Sequence, residues 1–586
     1  MKEELTNLLR TFEALSPILG NAVKSGQLLN PRCELTEPDA DILCDYDVKI
    51  PMSEGFTVTA NIYRSKTSSE NGEQVPVVMC AHPYDNHLTP ALKKTPLGGA
   101  PQQYRLISQA GKPSFSKLTS WESPDPNFWV ASGYAVVNMN MPGYTNSEGP
   151  PSVFSEHQGK CYYEAIEWVA KQPWCTGKVG LNGVSFLAIS QYHVAACQAY
   201  GGPPPSLCCI SPWEGLTDPY RDIFAFGGLA EVGFPAFWWA TEVKSVLNGT
   251  QQDFVESEGC IPTDYLKNHP FYDDFWKAKA AKLEEITIPM LVCASFSDHG
   301  LHTQGSFRAF NKAQSEHKWV YTHRTGKWDA YYSPDVQEMT RNFMDCFLKG
   351  DTSSGFLDTP SVRIEIRSSL NRIHEVRHEN EWPIARTEYK RLYLAEQQSL
   401  SLVRPQAQTE LAYRAKGGKA EFLHTFAEDT ELSGYMKLRV WVEARPEAIG
   451  QETPNDMALF IAVNKLDRDG NPVHFYGSVG NTKDMVTRGY CRVSRRELDL
   501  DESTEWHPVQ SGTGEQPLNA NEIVAVDIAL YPSSTFFAVE EAIQLIVAPC
   551  EIIASPPFIK DASFNRGTHV LHFGGKYDSH LLVPKV

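Results

Sequence analysis

The chain has 586 residues, a mass of 65.6 kDa and a formal net charge of −18, from 71 acidic and 53 basic residues. A nucleic-acid binder would usually carry a basic face, so this balance speaks against one and is read as solubility. With 42% hydrophobic and 21% charged residues, the composition is that of a globular protein with ample core, long enough for two or three domains.

Met1 to Gly20 reads as a short amphipathic segment with acids at Glu3 and Glu4. It lacks the basic start and unbroken apolar stretch of a secretory signal. No apolar run reaches the roughly 18 residues of a membrane helix. A cytoplasmic protein with no membrane partner is therefore expected. The 13 cysteines are odd in number and loosely spaced, which suits reduced thiols rather than a disulfide framework. In that compartment the sequon Asn248-Gly249-Thr250 carries no meaning.

Residues 1–44 are taken as an N-terminal helical segment. From there, Phe56 to Tyr63 alternates apolar and polar residues, as a half-buried strand does. Val75 to Ala81 is continuously apolar, the pattern of a strand covered on both faces of a parallel sheet. Tyr134 to Met139 repeats it, and Cys161 to Lys171 reads as a helix closed by Pro173. Three further strands each run into a chemically active residue. Lys178 to Asn182 leads to Ser185, Ile288 to Ala294 to Asp298, and Lys318 to Thr322 to His323. Strands alternating with helices imply a mostly parallel α/β sheet, here assigned to 45–216 and 284–350.

Residues 217–283 interrupt the pattern with irregular, aromatic sequence, including Phe237, Trp238 and Trp276. A packed excursion with its own core and a cap shaping a substrate pocket are both compatible with it. Asp351 to Gly355 reads as a linker. In 356–586 helical periodicity nearly vanishes. Met457 to Leu466, the turn Asp469-Gly470-Asn471 and the return at Val473 to Tyr476 form a hairpin signal. Many short strands broken by turns predict a β-sandwich.

The chemistry centres on Gly183-Val184-Ser185-Phe186-Leu187, where a strand hands over to a helix. A hydrolase nucleophile needs this sharp turn to lift its oxygen out of the sheet. The usual second glycine is replaced by Leu187. A serine hydroxyl needs a base, and the base needs an orienting carboxylate. In the order Ser, Asp, His, each just past a strand end, the candidates are Ser185, Asp298 and His323. His299 and His302 also lie close to Asp298, but a base from a separate loop favours His323. Oxyanion donors are expected from the Phe186 N–H and from the His82-Pro83-Tyr84-Asp85 loop, where Tyr84 could equally be an ordinary turn aromatic.

The order of segments from about Asp45 to the C-terminus resembles the cocaine esterase-like (CocE/NonD) family of α/β-hydrolases, related to X-prolyl dipeptidyl peptidases. The likeness rests on Ile50-Pro51-Met52 with Ala60 to Arg64, on Pro83-Tyr84 and on Gly133 to Val137. It continues through Gly143 to Gly149, Gln172-Pro173-Trp174, Ser211 to Gly215 and His269-Pro270. Thr430 to Gly434, Arg492 to Arg496 and Ser579 to Pro584 carry it into the C-terminal part. The resemblance implies that Tyr84 supplies the second oxyanion donor, Asp298 the triad acid and Trp213 a wall of the acyl pocket. It also implies a jelly-roll C-terminal domain that helps wall the site. This chain departs from the family at Pro142, where an Arg is usual, at Phe186, where a Tyr is common, and at Gly326-Lys327-Trp328, where a Gly-Pro-Trp turn usually precedes the histidine.

The reading is therefore a serine hydrolase acting on a small-molecule ester or amide through an acyl-Ser185 intermediate. His323 would serve as base, Asp298 as its orienter, Tyr84 and Phe186 as oxyanion donors, and Trp213, Phe237 and Trp238 as acyl-site walls. No cofactor or metal is expected, since no Walker loop, HExxH or Rossmann glycine pattern occurs. A peptidase cutting after an N-terminal dipeptide is less favoured, since it would need an acidic site for the free amine that the sequence does not identify, and two further rivals stand beside the reading. One is an acyltransferase, or a lactone- or amide-forming or -opening enzyme of secondary metabolism, on the same triad. The other is a non-catalytic binding protein with this fold. Oligomeric state is open, a homodimer included.

Overall fold

The computed structural model describes residues 2–92, 101, 103–107, 111–448 and 450–586. Strand pairing orders the first sheet as Ile42–Pro51, Thr57–Ser65, Ala135–Asn140, Val75–His82, Cys175–Val184, Leu207–Trp213, Met290–Ser295 and Lys318–His323. The first three neighbours run antiparallel and all later ones parallel. Every residue of Ala135–Asn140 and Met290–Ser295 is buried. Their mostly apolar sequence therefore reflects helices and chain covering both faces of the sheet. This is an α/β-hydrolase sheet, with Ser185, Asp298 and the 324–328 turn all at the carboxyl ends of its strands.

Only part of 1–44 is helical. Helix Lys2–Lys24 is followed by the strand Glu34–Thr36, which pairs with Ser114–Ser116, and the main sheet already begins at Ile42. The helix packs Ile18 on Phe237, beside Leu15, Leu106 and Ile559. None of the helices is long and apolar enough to cross a membrane, among the described residues.

The insertion combines an internal core with residues that face a pocket. Phe224, Tyr265, Phe275 and Trp276 make an internal aromatic core with ring centroids 5.0–5.9 Å apart. The short helix Phe234–Trp238 instead turns Phe237 and Trp238 toward a pocket above Ser185.

Past the Asp351-to-Gly355 turn, strand Val362–Ser369 belongs to both halves of the molecule. It adds to the edge of the catalytic sheet through Val320↔Val362 and Tyr321↔Arg363, and it touches Val524–Phe537 at Arg367↔Thr535. The β-rich C-terminal domain has two groups of antiparallel strands, joined at Gly489↔Leu530. In one, Thr430–Arg445 is flanked by Val524–Phe537 on one side and by Thr568–Phe573 and His580–Lys585 on the other. The second orders Ala420–Thr425, Ala542–Ala548, Ala458–Leu466 and Thr487–Arg492. Leu438, Val440, Ile461, Val463, Ile528 and Leu545 form the core they share. The fully buried Arg367 ties this domain to the active face. Its guanidinium donates to the carbonyl oxygens of Phe296, Val486 and Ser534 at 3.0, 3.0 and 3.3 Å.

Candidate active site

Ser185 stands between strand Cys175–Val184 and helix Phe186–Ala195 with φ 61° and ψ −116°, a strained conformation for a residue with a side chain. Two neighbours hold it there. Its N–H donates to the Trp213 carbonyl at 3.0 Å, and the Val184 N–H donates to the Glu122 carbonyl at 3.2 Å. Gly183 has φ 150°, and a Cβ there would lie 2.5 Å from Leu187 Cβ. With Leu187 packed across the turn, position 183 has no room for a side chain.

The Ser185 Oγ lies 3.3 Å from His302 Nε2, and His302 Nδ1 lies 2.5 Å from Asp298 Oδ2. An Oγ–imidazole–carboxylate line of this kind can take a proton from serine and stabilise the imidazolium formed. Asp298 and His302 share one turn. The Asp298 carbonyl accepts from the N–H groups of Leu301, His302 and Thr303, which leads into helix Thr303–Lys312. Ser478 of the C-terminal domain accepts from the Gly300 N–H at 2.8 Å and fixes the same turn from outside.

The structure does not bring His323 to Ser185. His323 ends its strand in register with Ser295, its ring stacks on Trp213 at 4.7 Å, and its Nε2 is 2.5 Å from Glu214 Oε1. The imidazole next to Ser185 is instead that of His302, for a simple reason. A spacing of four residues on a helical turn places Asp298 and His302 side by side. That spacing was visible in the sequence and is the signal that singles out His302.

Trp213 is likewise displaced from the role expected of it. It is fully buried, donates from Nε1 to the Tyr321 hydroxyl at 2.6 Å, and is not among the residues facing the cavity. It backs the His323 ring and positions Ser185 through its carbonyl.

The cavity, partly open to solvent, is lined by Ser185, Tyr84, Phe237, Trp238, Leu301 and Ile18, among others. Phe186 does not face it but stacks beneath, between Phe154 and Trp238, at 5.4 and 6.2 Å. Its backbone N–H is at a helix start, where no intrahelical acceptor exists. Tyr84 follows a buried loop in which its N–H donates to His82 Nδ1 at 3.1 Å and His82 Nε2 meets Asn138 Oδ1 at 2.7 Å. Burial pushes the Tyr84 phenol well above its ordinary range, so it keeps its proton and can act as a donor. The C-terminal domain supplies Gly477, Ser478, Gly480 and Pro557 to the wall.

Four acids also face the cavity: Glu122, Glu214, Glu242 and Asp298. Apart from Asp298, none was singled out in the sequence. Burial raises Glu122 to about 8 and Glu242 to about 7. Glu122 Oε1 accepts from Trp328 Nε1 at 3.0 Å, while its buried Oε2 has no hydrogen-bond partner among the described residues. Burial also works against ionised Asp298 and Glu214, but Lys327 beside both, with His302 and His323, holds their pKa values below the usual carboxylate range. Burial, and then Lys327, lower His302 despite Asp298. Glu214, Asp298 and His302 offer atoms within 4.8 Å of one another, a spacing that would suit a cation. Lys327 brings its own ammonium to that cluster.

Comparison with known proteins agrees with this construction. Residues 54–329 match the family model of the X-Pro dipeptidyl-peptidase (S15 family), and 354–582 match the X-Pro dipeptidyl-peptidase C-terminal non-catalytic domain. A CocE/NonD family hydrolase from Staphylococcus aureus is 34% identical, with a TM-score of 0.80 over 93% of this chain and 94% of that one. Cocaine esterase from a Rhodococcus species is 24% identical over 401 residues, 59% of this chain and 62% of that protein. A putative Xaa-Pro dipeptidyl-peptidase of Bacillus anthracis is 30% identical over 331 residues, 53% of this chain and 52% of that protein. These matches span less than two thirds of the length of either curated relative. An α-amino acid ester hydrolase shares the fold, with a TM-score of 0.67 at 16% identity. With the fold, the serine elbow and full-length likeness to the staphylococcal protein in agreement, the chain belongs to the CocE/NonD family of hydrolases.

Proposed function

We propose that this protein cleaves an ester or amide bond through an acyl-serine intermediate on Ser185. Ser185 Oγ attacks the acyl carbonyl and His302 Nε2 takes its proton, while Asp298 holds the ring through Nδ1. The Tyr84 hydroxyl and the Phe186 N–H donate to the oxyanion. His302 returns the proton to the departing alcohol or amine, then activates water to release the acid. Phe237, Trp238, Leu301 and Ile18 form an apolar acyl wall. The observation that carries this reading is the 3.3 Å approach of Ser185 Oγ to His302 Nε2, with Asp298 directly behind. Fluorophosphonate labelling tests it: one adduct on the intact protein, lost in Ser185→Ala, supports an activated serine, and an unlabelled protein favours a binding role.

A narrower reading has one observation in its favour. The unpartnered Glu122 Oε2 and the nearby Glu242 face the same cavity as Ser185. An acidic wall suits a substrate carrying an amine, as the dipeptidyl-peptidase likeness of residues 54–329 suggests. Comparing aminoacyl with plain acyl esters on wild type and Glu122→Gln tests this. A preference for the aminoacyl ester that Glu122→Gln abolishes supports it, and equal rates remove it.

A further inference from the structure

The Ser185–His302–Asp298 line does not end at Asp298. Lys327 Nζ lies 2.7 Å from Asp298 Oδ2, 3.0 Å from His302 Nδ1 and 3.3 Å from Glu214 Oε2. Beyond Glu214, His323 Nε2 closes on Oε1 at 2.5 Å. Six side chains from four stretches of the chain thus form one continuous polar line. Lys327 is its junction. It opens the short helix Lys327–Tyr331 directly after the Gly326 turn. It is the sole lysine or arginine facing the cavity among the described residues, against four carboxylates.

We infer that Lys327 is a positioning residue for the Ser185 reaction: its ammonium pins Asp298 and Glu214 in place and links the two histidine–carboxylate pairs. The inference rests on the serine reading above. Three observations on the chain itself support it. Asp298 Oδ1 has no hydrogen-bond partner among the described residues, so the orientation of this carboxylate depends on what holds Oδ2. His302 and Lys327 are the groups that hold it. Asp298 and Glu214 are both buried, and two like charges at one site repel strongly unless a cation lies between them. Finally, Glu214 has φ 52°, an uncommon conformation for a residue with a side chain, and it points its carboxylate into the cluster.

The groups that face His302 are Ser185, Asp298 and Lys327 at contact distance and Glu214 beyond. Of these only Lys327 disfavours the imidazolium. Removing it should therefore make His302 easier to protonate. Its unprotonated, active form would then appear only at higher pH.

The test is hydrolysis of p-nitrophenyl acetate from pH 5 to 9 by full-length wild type, Lys327→Met and Lys327→Arg, with Ser185→Ala alongside. Lys327→Met should lose about 10- to 100-fold in kcat, the usual effect of removing a group that orients a working side chain. Its KM should change far less, and the acid limb of kcat/KM should move up by about one unit. Lys327→Arg keeps the charge and should recover part of the rate with the limb near its wild-type place. A Lys327→Met profile that overlays wild type within twofold overturns the inference, as does Lys327→Arg behaving like Lys327→Met. Ser185→Ala separates the two levels. If it hydrolyses at the wild-type rate, the nucleophile assignment fails and Lys327's role with it. If it is inactive while Lys327→Met is normal, only Lys327's role is lost.

Discussion

A buried ion pair ties the 217–283 insertion to the C-terminal domain, and breaking it has a calculable consequence. Glu231 Oε1 accepts from the N–H groups of Gly233, Phe234 and Ile559 at 2.9, 3.0 and 2.8 Å, and Oε2 lies 3.1 Å from Lys560 Nζ. Both side chains are essentially inaccessible to water. This pair joins the base of helix Phe234–Trp238 to the C-terminal domain, and that helix presents Phe237 and Trp238 to the cavity. Lys560→Met keeps an unbranched apolar side chain and deletes the charge, together with the ammonium's contacts to the Phe226 and Tyr490 rings. Removing one member of a buried pair typically costs about 3–5 kcal/mol. Protonation of Glu231 limits the loss, since burial already raises its pKa, so we expect about 3 kcal/mol near neutral pH.

The sign of the pH dependence follows. Without Lys560, Glu231 in the folded protein binds a proton well above its unfolded value of about 4.3, so the folded state carries more protons than the unfolded one between those two pKa values. Stability of Lys560→Met should then fall as pH rises through that window, and the deficit against wild type should be smaller at pH 5 than at pH 8. Glu231→Gln combined with Lys560→Met removes the stranded charge and should recover most of the loss. Urea unfolding followed by tryptophan fluorescence measures all three. A Lys560→Met deficit below about 1 kcal/mol, without pH dependence and without recovery in the double variant, would refute the reasoning.

Tyr84→Phe removes one oxyanion donor and should lower kcat by about 100- to 1000-fold with little change in KM; a near-normal rate removes Tyr84 from the reaction. Gly183→Ala drives a Cβ to 2.5 Å from Leu187 Cβ at φ 150°, so it should abolish fluorophosphonate labelling, and Leu187→Ala should not restore it fully because the Cβ–Cβ clash and the backbone strain both remain. Phe237→Ala opens the apolar wall and should shift preference toward longer acyl chains, read from a p-nitrophenyl ester series. The acid limb of wild-type kcat/KM should lie below pH 6.5, because burial and Lys327 lower His302 and its unprotonated form persists to lower pH; a limb above 6.5 contradicts this.

Much of this was legible from sequence. Central strands such as Met290–Ser295 announce themselves, because burial on both faces demands an unbroken apolar run. The strand-to-helix turn at Ser185 and the place of Asp298 just past a strand end were readable from sequence, and the structure sets the two close together through His302. The choice among histidines is where the sequence reading and the geometry part. A rule about loop order favoured His323, while the local four-residue spacing of Asp298 and His302 set the geometry. Trp213 was misjudged because a large aromatic in a site loop serves a cavity or a core equally well, and only three-dimensional packing decides. Glu122, Glu214 and Lys327 were illegible for another reason: they converge from segments far apart in the chain, and no local pattern marks a long-range cluster. Ile18 was hidden likewise, since nothing in an amphipathic N-terminal segment says which pocket its apolar face covers.

The most direct test of the central claim is intact-protein mass after fluorophosphonate treatment of wild type, Ser185→Ala, His302→Ala and His323→Ala. One adduct on wild type, none on Ser185→Ala, strongly slowed labelling in His302→Ala and a largely preserved rate in His323→Ala are expected. Normal labelling in His302→Ala with loss in His323→Ala would return the base to His323, and an adduct that persists in Ser185→Ala would place the nucleophile elsewhere.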